Sequence, residues 1–152
     1  MLAAALLTLA VSAPTASARS VRLHYFSKQT SSTFVNQQGQ PVTGAPAAGD
    51  INDITDIDYV GNHKHHAKTA AASDHLRCTI TTFTQSAVKA ICDGQIAIGG
   101  SMLLANHASV TVSDASIAFA ITGGTGIYRH AHGTIHTTQV GNDSDFTIKV
   151  AY

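Results

Sequence analysis

The chain has 152 residues, with nine Lys and Arg, nine acidic side chains and nine His, and a formal net charge of zero. That length fits one domain, and the charge balance excludes the basic footprint of a nucleic-acid-binding protein. No apolar run is long enough to span a bilayer, and all nine acidic residues are Asp.

Leu2 to Val11 is an apolar run that leads through Pro14 to Ala16-Ser17-Ala18. This pattern predicts a signal peptide over residues 1–18, cut before Arg19, and an exported protein that leaves the membrane once the signal is removed. From there almost every segment favours strand, being rich in Thr, Val and Ile and punctuated by turn residues every ten to fifteen positions. Val21 to Phe26 starts the first strand, with Val21, Leu23 and Tyr25 on one face, and the Ser/Thr-rich stretch to Phe34 continues it. Asn36 to Asp50 reads as a loop. Ile51 to Val60 is the next strand, where Asp56 and Asp58 alternate with Ile57 and Tyr59.

Two cysteines in an exported chain point to a disulfide before a metal pair or a nucleophile. Cys78 and Cys92 lie equidistant from Gln85, and the segment between them reads as a hairpin centred there. Antiparallel pairing then sets the two sulfurs opposite each other. Closing a loop of about 15 residues is worth roughly 3 kcal/mol in the chain-entropy model.

Short strands follow over Ser101–Ala105, Ala108–Val112 and Ile117–Ile121. Gly123-Gly124-Thr125-Gly126 then forms a turn, because glycines at this density disfavour helix and strand. A phosphate-binding loop would open a helix and in its commonest form end in Lys-Ser or Lys-Thr. Here Ile127-Tyr128 follows and the pattern predicts a strand from Tyr128 to Val140. The last strand alternates Phe146, Ile148, Val150 and Tyr152. Some eight strands with no convincing helix predict an all-β fold, an eight-stranded antiparallel β-barrel that hides its edges by closing. Such a barrel is either filled or has room for one small ligand.

The glycine turn and its flanks resemble the allene oxide cyclase barrel superfamily, which includes dirigent proteins and secreted bacterial relatives. The dirigent signature is a Gly-Gly-Thr-Gly turn, an aromatic, an Arg and Ala-Arg-Gly. This chain has Gly123-Gly124-Thr125-Gly126, then Tyr128, Arg129 and Ala131-His132-Gly133. Gly49-Asp50 before the acidic strand, Val60-Gly61, Cys78-Thr79, Cys92-Asp93-Gly94 and Gly99-Gly100 follow the same order. The resemblance covers residues 47–152 as a barrel core, with 19–46 supplying an N-terminal strand and loop. It makes His63 to Ala72 a strand or its edge. It implies an often trimeric barrel that takes a small hydrophobic molecule, without metal or organic cofactor, and steers its cyclisation or coupling by holding it and excluding water. The departures are His132 in place of the second Arg, Ile127 where some members are acidic, and no Glu to match that of plant cyclases.

Asp56 and Asp58 are candidate catalytic acids and bases if their strand face points into the barrel. Alternation favours the opposite, with Ile57 and Tyr59 inward and Tyr59 touching the ligand. Arg129 is a candidate to orient a carbonyl or anionic substrate. Tyr128 and Arg129 would face opposite sides of one strand, so only one of them lines the cavity. His132 and His136, with His130, share a strand face and are candidate ligand contacts or a proton shuttle. With the cluster at His63, His65 and His66 they keep open an alternative, a non-catalytic binding or structural domain with a His-rich metal site. No acidic or Cys residue has metal-ligand spacing beside them.

Overall fold

The computed structural model describes residues 19–112 and 114–152, and among these the β-branched segments form antiparallel strands and no α-helix. The export signal predicted over residues 1–18 lies outside the described residues. The strands are β1 (Ser20–Val35), β2 (Ile51–Asn62), β3 (His65–His66), β4 (Ala72–Phe83) and β5 (Val88–Ile98). They continue as β6 (Ser101–Thr111), β7 (Ser116–Ile121), β8 (Gly123–Gly124), β9 (His132–Val140) and β10 (Asp143–Ala151).

The sheet runs β7-β9-β10-β1-β2-β4-β5-β6-β8, with β3 paired only to β2. Thr122 alone separates β7 from β8, and it bridges the two ends of that path. β7 pairs with β9, β8 pairs with β6, and the Thr122 N–H donates to the Leu104 carbonyl at 2.8 Å. The nine strands of the path therefore make a nearly closed barrel, joined across the β6–β7 seam by the two-residue β8 and the Thr122 contact.

Register decides what enters the lumen, because residues directly opposite in an antiparallel pair share a face. On β1, Tyr25 and Ser27 are buried, and Ser27 pairs with Asp58 on β2 and with Ser144 on β10. Asp56 pairs with Asp74 on β4, and Asp74 pairs with Ile96 on β5. The predicted disulfide forms between Cys78 and Cys92, which are cross-strand partners in the β4–β5 hairpin. Cys92 is fully buried within the apolar core.

Three elements differ from the predicted ones. Gly123 and Gly124, expected as turn alone, pair with Leu104 and Leu103 as the short strand β8. The separate strands expected on either side of Asn106 are one strand, β6, which accommodates a bulge at His107 with φ of 59°. The Asp93 carboxylate accepts the His107 N–H at 2.8 Å there. After the glycines the chain makes a 3-10 turn over Gly126–Tyr128, so β9 starts at His132 and not at Tyr128. Gly124 and Gly133 fix that corner. A Cβ on Gly124 would overlap the Met102 carbonyl, and one on Gly133 would overlap the Lys149 carbonyl.

Candidate functional site

The lumen is closed at one end and open at the other. Tyr25, Tyr128, Leu103, Ile148 and Val150 fill the closed end, where the Tyr128 ring meets Tyr152 edge-on at 4.8 Å. Toward the β9–β10 turn lies a cavity of about 160 Å³, walled by Ile54, Leu76, Ile96, Phe119, Ile135 and Phe146. Its polar lining includes Asp56, Asp74, His75, Gln29, Thr137, Ser144 and Asn142. A cavity of about this volume accommodates a single aromatic ring.

Asp56 and Asp74 line this cavity, and Asp58 is buried beside them outside its lining. The Ser27 hydroxyl lies 3.1 Å from Asp56 Oδ2 and 3.0 Å from Asp74 Oδ2. One hydroxyl hydrogen serves only one of these acceptors. The second contact is a hydrogen bond only when its carboxyl carries a proton. Asp58, opposite Ser27 on β2, is fully buried next to Ser27 and Asp74.

Electrostatics point the same way. Burial, then the neighbouring Asp58 charge, pushes the Asp74 carboxyl up to about 7. Burial and the charge of Asp74 push Asp56 up to about 6, against the lowering effect of the Ser27 hydroxyl. Burial also raises Asp58. The phenols of Tyr25 and Tyr128 are raised chiefly by burial as well. Desolvation and like-charge repulsion together make a site that holds protons near neutral pH.

Asp56 and Asp58 thus face inward, the reverse of the orientation that alternation alone favoured. The correction follows from register: Tyr25 faces the core, Ser27 shares its side two residues on, and Asp58 lies opposite Ser27. Tyr59 therefore lies on the outer face, its ring 5.3 Å from that of His66 and away from the cavity. Tyr128 is buried at the closed end, whereas Arg129 is exposed on the 3-10 turn. They flank a turn and not one strand, so strand alternation does not govern their sides. His132 and His136 are exposed on β9, and His130 precedes the strand. Among the described residues no three His, Cys or acidic side chains form a cluster able to hold a metal. His63 and His66 have structural roles: His63 pairs with Asp145, and the His66 ring stacks 4.8 Å from Phe26.

Ser27, Asp74 and Gln29 did not stand out in the sequence. A signal for Asp74 was present: Cys78 faces the lumen, and a period of two places Leu76 and Asp74 on the same side.

No protein-family model and no curated protein matches the chain. Solved structures do. A pyocyanin demethylase superposes with a TM-score of 0.68 at 22% identity, over 86% of this chain and 99% of its own. A pterocarpan synthase dirigent protein gives 0.63 at 20% identity, over 95% and 97%. A nonspecific heme-binding cyclase that catalyses a [4 + 2] cycloaddition gives 0.59 at 15%, over 88% of this chain and 63% of its own. These likenesses show the fold, a barrel of the kind that dirigent proteins have.

Proposed function

We propose that the chain is an exported barrel that binds a small hydrophobic molecule in its lumen and steers its cyclisation or coupling. The observation that carries this reading is the pairing of an apolar cavity with Asp56 and Asp74, joined through Ser27. The apolar walls hold one conformer and exclude water. A carboxyl poised between about 6 and about 7 then gives or takes a proton at the ligand's reacting atom. Barrels of similar fold include the dirigent proteins and the cyclase above, and this supports steering as the type of action. The disulfide supports an oxidising compartment, hence export. No helix among the described residues is long and apolar enough to cross a membrane.

Native mass spectrometry of the protein after exposure to culture extract tests the reading and gives its copy number, expected to be three. The expected result is a captured small molecule that the wild type converts and that Asp56→Asn and Asp74→Asn fail to convert. Absence of any captured molecule would contradict binding. Equal conversion by the variants would remove the carboxylates from the chemistry.

A further inference from the structure

The ionisable side chains that line the cavity are Asp56, Asp74 and His75. None of the nine Lys and Arg lines it, and the His75 imidazole turns its Nε2 to Asp53 at 3.3 Å. Asp56 Oδ1, on a residue of the cavity wall, is a buried acceptor with no donor. A buried acceptor without a donor is costly, so a ligand that supplies one gains more than an average hydrogen bond. We propose that the cavity selects a compact aromatic ligand bearing a cationic nitrogen, an arylalkyl ammonium by class, and disfavours carboxylates of the same size. This inference rests on the reading of the lumen as a binding site.

The physical case has three parts. The apolar walls and the cavity of about 160 Å³ match one ring. An ammonium brings three donors to oxygens that lack them, whereas an alcohol brings one and a carboxylate none. Charge decides the rest. A cation beside Asp56 and Asp74 relieves the repulsion among the buried carboxylates, while an anion adds to it.

Selection of this kind is coupled to protons. The groups facing the carboxylates are Tyr25 from β1, Asp143 from β10 and His75 from β4, while β5 presents the uncharged Ile96. At low pH the carboxyls hold protons. A bound cation favours their ionised forms, so a proton passes to solvent and affinity rises as the pH climbs through that range.

Calorimetric titration of the purified protein with benzylammonium, benzyl alcohol and phenylacetate tests this, with lumen methyl signals of Ile54 and Ile135 locating each probe. Benzylammonium is expected to bind about tenfold tighter at about pH 8 than at about pH 5, and tighter than the alcohol at the higher value. Phenylacetate is expected to be weakest. Asp56→Asn should erase the preference for the cation and keep alcohol binding. If the three probes bind alike in the lumen, or phenylacetate binds best, the inference falls and the binding-barrel reading stands. If none perturbs the lumen methyls, both fall. The pH dependence on unaltered protein decides the matter even if the variant does not fold.

Discussion

Asp74 concentrates the chemistry of this molecule in one side chain. It lies opposite Asp56, accepts or shares the Ser27 hydroxyl at 3.0 Å, and is pushed up to about 7 by burial and by Asp58. A carboxyl raised in the folded state binds its proton there over a range in which the unfolded chain has released it. Stability is therefore greatest below the ordinary carboxylate range and falls as the pH rises toward about 7. Asparagine keeps the shape and cannot ionise. Asp74→Asn is expected to flatten the profile and to gain about 2 kcal/mol at about pH 8, read by urea unfolding across pH. A variant less stable than wild type at the higher pH would mean that Asp74 is held ionised by a favourable partner. In the sequence Asp74 sits in a Ser/Ala-rich segment that reads as turn or surface, and only the face it shares with Cys78 marks it.

Among the elements, the β4–β5 hairpin is the most constrained. It carries both cysteines at facing positions, and its inward residues run from Asp74 through Leu76 and Cys78 to Ile80. Replacing both cysteines by Ala should cost roughly 3 kcal/mol, since the bridge closes a loop of about 15 residues. Thermal or denaturant unfolding checks this, and an unchanged midpoint would show that the hairpin is ordered without its cross-link. This pairing was legible because it needed only local symmetry about Gln85. The strand–turn–strand rhythm was legible for the same reason. The inward turn of Asp56 and Asp58 was not, because β2 alternates polar and apolar residues and only pairing with β1 says which set is inside. The 3-10 turn over Gly126–Tyr128 was hidden too. Ile127 and Tyr128 favour strand, yet they lie in the turn that follows the close approach of Gly124 to Met102.

For the whole molecule, β7 and β8 close the sheet, and closure creates a small interior that is apolar on its walls and acidic at one side. The central claim is that this interior holds exchangeable protons near neutral pH. The most direct measurement is a titration of the nine aspartate carboxyl carbons by NMR. Asp74 is expected to titrate near about 7 and Asp56 near about 6, with Asp58 also raised. If all nine instead titrate together in the ordinary range of about 4, the lumen carboxylates are solvated and ionised, and the acid–base role assigned to them is wrong.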